Sequence, residues 1–288
     1  MYPPRFHYEA PTSVDECLRM LAYYREEAKI LSGGMSLIPL MKLRFASPAN
    51  VIDINNIPGL DYIREEGGYL KVGALTRNKT VERDGTVASR YPLMASAVPL
   101  ISDPVVRNRG TLCGSICHSD PQGDWGSVML AMSGDVIAAS SSGQRSIPVS
   151  QLMIGPFTNS LRPDELVVEA RIPSPAGTPF GMYQKIERRV GDFATVGVGV
   201  HLILSGGAVS QAGIALTGVG PGNIKCTAAE QVLTGASLSE GTIREAGRLA
   251  AQAAEPKSDH RGTEEYKREM VHVFVVRALR SAAGARAA

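Results

Sequence analysis

Two short segments of small residues, one near the start of the chain and one near its middle, constrain this sequence most. The first, residues 32–36, follows the end of a predicted short strand at 29–31 and precedes a predicted helix over 37–44. A strand, a glycine turn and a helix in this order direct free main-chain N–H groups at a phosphate. The second, residues 107–115, adds hydroxyl donors and glycines that let a ligand approach the backbone. The pair predicts two loops that hold a diphosphate between them.

Other nucleotide-binding patterns do not fit these segments. Neither matches G-x-x-x-x-G-K-[ST] or G-x-G-x-x-G, which disfavours an NAD-dependent Rossmann enzyme. A polar surface turn is the alternative interpretation of each segment taken alone.

The glycines at 197, 199, 218, 220 and 222 lie in or after predicted strands, and no helix follows them directly. Tight turns and close strand packing explain those glycines better than a nucleotide loop does.

A third motif, K-x-x-R-x-x-G-D at residues 185–192, completes a set. With it, the chain resembles the FAD-binding medium subunit of the molybdenum hydroxylase (xanthine dehydrogenase) family along essentially its whole length. The family's Ala-Gly-Gly-His-Ser-like loop corresponds to residues 32–36, and its Arg-Asn-x-Gly-Thr-x-Gly-Gly-like run to 107–114. Met35 replaces the family's His and Cys113 replaces its first Gly. Within the family, the chain looks most like the medium chains of aerobic carbon monoxide dehydrogenases.

The resemblance implies a set of FAD-binding residues. In it, residues 29–36 hold the diphosphate and ribityl chain, Asp124 accepts hydrogen bonds from the ligand, and Ile101 packs against the cofactor. Lys185 places a cation near the ring, where it would stabilise the anionic reduced flavin; without the resemblance Lys185 reads as a solvated strand residue. The implied residues are Lys29, Leu31, Ser32, Gly33, Gly34, Met35, Ser36, Ile101, Gly110, Thr111, Gly114, Ser115, His118, Asp124, Leu166, Val167 and Lys185.

The implied fold is α+β. An N-terminal, two-part α/β FAD-binding domain of the vanillyl-alcohol-oxidase (PCMH-like) type spans 1–177, with subdomains of about 1–54 and 55–177. A C-terminal domain of the carbon monoxide dehydrogenase flavoprotein type spans 178–288, with a three-stranded antiparallel sheet and a helical bundle. The proline-rich stretch 173–179 is the clearest linker.

Local signals predict where several elements begin and turn. Ser13 with Glu16 and Thr227 with Glu230 read as capping boxes, and Thr263 begins the last helix. Gly206-Gly207 between two predicted strands indicates a hairpin. The stretch 107–124 is predicted to be a loop.

Composition excludes several classes of function. The net charge of +2 is small, basic residues are scattered, and aromatics make up 6% of the chain, so nucleic acid is not an expected partner. No apolar signal segment or stretch of about 18 apolar residues occurs. We expect a cytoplasmic protein without a transmembrane segment, which a partner could bring to the inner face of the cell membrane.

The four cysteines predict free thiols and no metal site. Cys113, Cys117 and His118 form C-x-x-x-C-H, but no second pair completes a zinc or iron–sulfur ligand set. Small buried thiols beside the flavin loop are the favoured interpretation.

The resemblance implies an electron-transfer subunit whose flavin ring, and no protein residue, carries the catalysis. A large subunit would oxidise the substrate at a molybdopterin-type molybdenum cofactor, and a small subunit would relay electrons through two [2Fe-2S] clusters. FAD on this chain would pass them to a quinone or similar acceptor, in a dimer of heterotrimers. Carbon monoxide is the first expected substrate. The alternatives are an N-heteroaromatic hydroxylase (nicotine-, quinoline- or xanthine-type) and a stand-alone flavin-binding module.

Overall fold

The computed structural model describes residues 2–285. The N-terminal part is a three-stranded parallel sheet, ordered β1-β3-β2, with two helices in its connections. Ser13 caps the first helix by accepting from the Glu16 N–H at 3.2 Å, as predicted; the Glu16 carboxylate returns to the Thr12 N–H rather than to Ser13. The elements are β1 (His7–Glu9), α1 (Val14–Tyr24), β2 (Ala28–Leu31), α2 (Leu37–Lys42) and β3 (Asn50–Asp53).

The middle part is a five-stranded antiparallel sheet, ordered β4-β5-β10-β6-β7, with small helices against it. The prediction of a loop over 107–124 was wrong in the centre of that range. Helix α7 (Leu112–His118) lies there, with Thr111 as its N-cap residue. The elements are β4 (Ile63–Glu66), β5 (Tyr69–Gly73), α3 (Asn78–Arg83), α4 (Gly85–Arg90), α5 (Pro92–Ala97), α6 (Pro104–Arg107), α7 (Leu112–His118), α8 (Asp124–Ala131), β6 (Asp135–Ser140), β7 (Gly143–Pro148), α9 (Val149–Leu152), β8 (Met153–Gly155), β9 (Thr158–Asn159) and β10 (Leu166–Pro173).

The C-terminal part contains the three predicted antiparallel strands and a short fourth, ordered β11-β12-β13-β14. Gly206 and Gly207 turn the β12–β13 hairpin with φ of 56° and 89°. The capping box at Thr227 was wrong: Cys226 is the N-cap residue, and the Glu230 carboxylate accepts from the Ile214 N–H instead. The elements are β11 (Thr178–Ile186), β12 (Val196–Ser205), β13 (Ala208–Thr217), β14 (Ile224–Lys225), α10 (Thr227–Leu233), α11 (Glu240–Ala253) and α12 (Glu264–Gly284).

The C-terminal sheet is covered on both faces. Valines and leucines of β12 pack with α11 and α12 in one core, while Tyr183 of β11 belongs to the core of the middle part. Contact on that side is close: a Cβ at Gly213 would lie 1.8 Å from the Ala131 carbonyl oxygen, and one at Gly181 would lie 2.2 Å from the Leu93 nitrogen. The division into domains at residue 177 stays a prediction. None of the helices described has the length and apolar content that a membrane crossing requires.

Candidate functional site

The two small-residue segments contact each other directly. The Ser32 and Thr111 hydroxyl oxygens lie 3.3 Å apart. A Cβ at Gly33 would lie 2.2 Å from the Arg109 carbonyl oxygen and 2.9 Å from the Gly110 Cα. Gly33 therefore lacks a side chain because the backbone of the second segment occupies that space. Gly33 is therefore needed for the packing of the two loops against each other, a requirement that the sequence did not reveal.

Two polar side chains that the sequence did not single out hold the loops together. Asn55 donates from Nδ2 to the Ser32 carbonyl at 2.9 Å. Arg77 donates from Nη1 to the Arg109 carbonyl at 3.0 Å, and from Nη2 to the Asn55 amide oxygen. Each interaction joins groups distant in sequence, so no local motif could identify it. Together they fix the separation of the two loops.

Hydrogen bonds through Asn78 also connect the second loop to the buried core. The Gly110 carbonyl accepts from the Asn78 N–H at 2.8 Å, and the Asn78 amide oxygen accepts from Trp125 Nε1 at 3.0 Å. Thr111 Oγ1 accepts from the Gly114 N–H at 3.1 Å and begins α7, leaving Gly114 exposed. The loop backbone thus has a fixed position relative to buried Trp125.

The first loop presents its backbone at the start of α2. Gly34 adopts φ of +77°, a conformation that favours glycine, and its carbonyl accepts from the Ile38 N–H at 3.1 Å. Met35 and Ser36 are half-buried, and Lys29 on β2 is exposed. Ser36 makes no side-chain cap, so its hydroxyl does not satisfy the first N–H groups of α2.

Lys185 lies in a buried ion cluster, so its reading as a solvated strand residue is wrong. Its side chain is 2% exposed. Its Nζ donates to the Leu100 carbonyl at 2.9 Å and to Asp124 Oδ2 at 3.0 Å, and lies 3.3 Å from Glu187 Oε2. Tyr183 donates its hydroxyl proton to Asp124 Oδ1 at 2.7 Å. The cluster thus joins β11 to the start of α8.

Burial sets the protonation of this cluster. It raises the pKa of Asp124, against the lowering effect of the Lys185 cation, and raises the pKa of Tyr183 well above its usual value. Tyr183 is therefore a neutral donor. Both Asp124 oxygens already accept from protein donors, and its hydrogen bond to a ligand stays a prediction.

The segment at residues 100–102 connects this cluster to the second loop. Lys185 binds the Leu100 carbonyl, while Arg107 donates to the carbonyls of Ile101 and Ser102 at 3.2 and 2.9 Å. Arg107 also donates to Glu82 and is buried, so it is a structural cation. Ile101 is half-buried, and the hydrogen bonds from Lys185 and Arg107 fix the backbone around it.

Four predicted residues lie apart from these contacts. His118 is half-buried beside Phe157, with ring centroids 5.2 Å apart, and burial lowers its pKa. Leu166 and Val167 are buried in two different cores, Val167 in the one that contains α7. Ser115 follows Gly114 in α7 and is half-exposed.

Two buried or half-buried thiols lie on α7, and two open grooves lie along α12. Burial raises the pKa of Cys113 well above its usual value and that of Cys117 to about 12, so both are neutral thiols. Across residues 2–285, no three His, Cys, Asp or Glu side chains are grouped to hold a metal ion. An open groove of about 940 Å³ lies between α11 and α12, and one of about 440 Å³ reaches Lys185 beside α12.

Comparisons with known proteins cover nearly the whole chain. Residues 4–175 match the FAD binding domain in molybdopterin dehydrogenase, and residues 181–282 match the CO dehydrogenase flavoprotein C-terminal domain. The chain is 40% identical over 282 residues to the carbon monoxide dehydrogenase medium chain of Hydrogenophaga pseudoflava, covering 98% of each. It is 35% identical to the 6-hydroxypseudooxynicotine dehydrogenase complex subunit alpha of Paenarthrobacter nicotinovorans, covering 98% of this chain and 96% of that one.

A comparison with solved structures leads to the same family as the sequence comparisons. The carbon monoxide dehydrogenase from Hydrogenophaga pseudoflava that lacks the Mo-pyranopterin moiety matches with a TM-score of 0.94 and 42% identity, covering 99% of both chains. The resemblance and the fold class predicted from the motifs are confirmed. This chain belongs to the family of FAD-binding domains of molybdopterin dehydrogenases and carries the CO dehydrogenase flavoprotein C-terminal domain behind it.

Proposed function

We propose that this chain is the FAD-carrying electron-transfer subunit of a molybdenum hydroxylase complex. One observation carries the proposal: the two glycine loops contact each other at Ser32 and Thr111, both inside the region, residues 4–175, that matches a FAD-binding family. Their packing places the exposed backbone around Gly114 near the first loop. Two such loops can hold a diphosphate between their N–H groups.

The residues of this chain bind and tune the cofactor. Bound FAD supplies the electron-accepting ring. Residues 29–36 hold the diphosphate and ribityl chain, with Gly110, Thr111, Gly114, Ser115 and His118 opposite. Ile101, and Leu166 or Val167, contact its apolar parts. Lys185 donates to the Leu100 carbonyl, and with FAD bound its cation would favour negative charge on the flavin ring.

The proposed complex has two further subunits. A large one carries the molybdenum cofactor and a small one carries two [2Fe-2S] clusters, assembled as a dimer of heterotrimers. Electrons pass from the clusters through this chain to a quinone or similar acceptor. Carbon monoxide, oxidised to carbon dioxide, is the proposed substrate, supported by the Hydrogenophaga relative. We place the complex in the cytoplasm, at the inner face of the membrane when the acceptor is a membrane quinone.

A second candidate substrate class is favoured by one observation. The Paenarthrobacter relative, named for 6-hydroxypseudooxynicotine, covers the same 98% of the chain, at 35% identity. Co-expression of this chain with the large and small subunits encoded beside it distinguishes the two. The complex should reduce a dye with carbon monoxide, whereas dye reduction with an N-heteroaromatic donor alone would favour the alternative. The chain purified by itself should oxidise neither donor; oxidation there would contradict the proposal.

Gly114→Val tests the flavin site. A Cβ at Gly114 would lie 2.7 Å from the Thr111 hydroxyl, so the valine must shift that hydroxyl slightly, and its methyls otherwise extend from the exposed surface of the loop. We expect the variant to fold but to lose flavin absorbance on desalting. Gly222→Val is the control, because a Cβ there meets nothing within 4 Å. Full flavin occupancy in Gly114→Val would refute the assignment of this loop.

A further inference from the structure

The turn after α2, residues 42–45, carries exposed apolar and basic side chains in alternation. Leu43 is 58% exposed and Phe45 80% exposed. Lys42 and Arg44 are also exposed, and neither has an ion-pair partner within residues 2–285. Ile38, four residues before Lys42 on the helix, is exposed beside it. We call this surface the α2 turn.

The backbone of the α2 turn is held in one geometry. The Phe45 N–H donates to the Leu40 carbonyl at 2.9 Å, and the Arg44 N–H to the Met41 carbonyl at 3.1 Å. These two bonds define a Schellman motif, whose left-handed position is usually glycine. Arg44 occupies it with φ of +63°. A side chain therefore stands where the backbone favours none.

The hydrophobic contact that usually accompanies this motif can bury little of Phe45, which is 80% exposed. The residue at the Phe45 position commonly packs on the last turn of the helix, yet Phe45 is mostly in solvent. Its ring therefore adds little to folding. An exposed aromatic flanked by unpaired cations on a fixed turn is the composition of a binding hot spot, in which aromatic and arginine side chains dominate.

We propose that the α2 turn docks the iron–sulfur subunit, through an apolar cleft rimmed by carboxylates on that subunit. The inference rests on the proposed function. The cations Lys42 and Arg44 favour an acidic partner, whereas a symmetric contact with a second copy would oppose them to themselves. The six residues of α2 span roughly 9 Å, so a protein docked here lies close to the first glycine loop. An electron donor needs that closeness.

Phe45→Ser tests the apolar part. In the co-expressed complex, the variant should bind the iron–sulfur subunit at least about tenfold more weakly, as loss of a hot-spot aromatic does. Tyr23→Ser is the matched control, because Tyr23 is an aromatic 81% exposed on α1. It should leave binding unchanged. Equal binding by both variants would overturn the proposal.

Arg44 separates binding from folding. Arg44→Gly relieves the left-handed backbone, so the melting temperature should rise while binding falls about tenfold. Arg44→Glu should weaken binding further, and Arg19→Glu, an exposed cation on α1, should not. Unchanged binding in Arg44→Gly and Arg44→Glu would contradict a docking role.

The flavin spectrum and the assembly of the complex together distinguish failure of the docking surface from failure of the proposed function. All variants should keep the wild-type flavin spectrum; a wild-type chain without flavin would refute the proposed function itself. Normal assembly of flavin-loaded Phe45→Ser would refute the docking surface alone. Vesicles of anionic phosphatidylglycerol test a membrane occupant. We expect no binding, and Phe45-dependent binding to them with assembly unaffected would overturn the protein partner.

Discussion

Buried ionisable side chains are the clearest departures from ordinary behaviour at the scale of single residues. His201 on β12 has its Nδ1 buried without a hydrogen-bond partner among the described residues, and burial lowers its pKa to about 4. Lys185 is as buried, but it is paired. The two cases lead to opposite expectations for their removal.

Replacing His201 should reduce the acid sensitivity of the fold. The unfolded imidazole takes up a proton near pH 6.5, and the folded one only near pH 4. The unfolded state thus binds more protons between these values, so this stability is complete above pH 6.5 and lost as the pH falls toward 4. The loss amounts to about 3 kcal/mol. Urea unfolding at pH 7.5 and pH 5 should show a smaller difference for His201→Leu than for wild type or for the exposed control His7→Leu.

Replacing Lys185 with Met should destabilise the protein by about 3 kcal/mol, because it leaves Asp124 buried without its cation. The double variant Asp124→Asn/Lys185→Met should recover part of this loss, since the two residues are coupled. Urea unfolding of the three variants measures both effects. Additive losses would contradict the coupling. The lowered flavin potential expected for Lys185→Met can be measured only in preparations that retain FAD.

Helix α7 links local sequence to the site at the scale of elements. It begins inside the second small-residue segment because the Thr111 hydroxyl caps it, and the same oxygen contacts Ser32 of the first segment. One hydroxyl therefore serves helix initiation and loop packing together.

Thr111→Ala should cost about 1 kcal/mol of stability through the lost cap. It should also weaken flavin retention, because the contact between the loops is lost. Thr111→Ser keeps the hydroxyl and is the matched control. Urea unfolding and flavin content after desalting should both place Ser near wild type and Ala below it; identical behaviour of the two variants would argue against the shared role.

Close backbone contacts join the C-terminal sheet to the middle part at the scale of the whole molecule. Gly213 lies against the Ala131 carbonyl and Gly181 against the Leu93 backbone, both without room for a Cβ. The Lys185–Asp124 ion pair crosses the same boundary. Helices α5 and α8 of the middle part are thus held in a fixed position against the C-terminal sheet.

Gly213→Ala and Gly181→Ala should each destabilise the protein by about 3 kcal/mol, because the added methyl displaces backbone rather than a flexible side chain. Gly222→Ala, with open space around it, should stay within about 0.5 kcal/mol of wild type. Urea unfolding measures the differences. A small effect at Gly213 would mean that α8 can move away from β13 at little cost in free energy.

Sequence alone determined the features that depend on near neighbours in the chain. The Ser13 and Thr263 caps each involve an N–H three residues ahead, and the Gly206-Gly207 hairpin needs only its own φ angles. The motif set identified the family on the same basis, because each motif is a short run. Local signals also failed locally: the helix at Thr111 was missed among glycines and serines that favour a loop.

Tertiary structure decided everything that joins distant residues. The fit of Gly33 against Arg109, the ties made by Asn55 and Arg77, and the burial of Lys185 arise only when separate elements pack. The physical reason is that burial and the partner of a polar group depend on what the fold places around it. The same lysine reads as a solvated strand residue from its neighbours in sequence and is a buried cation between β11 and the start of α8 in the fold.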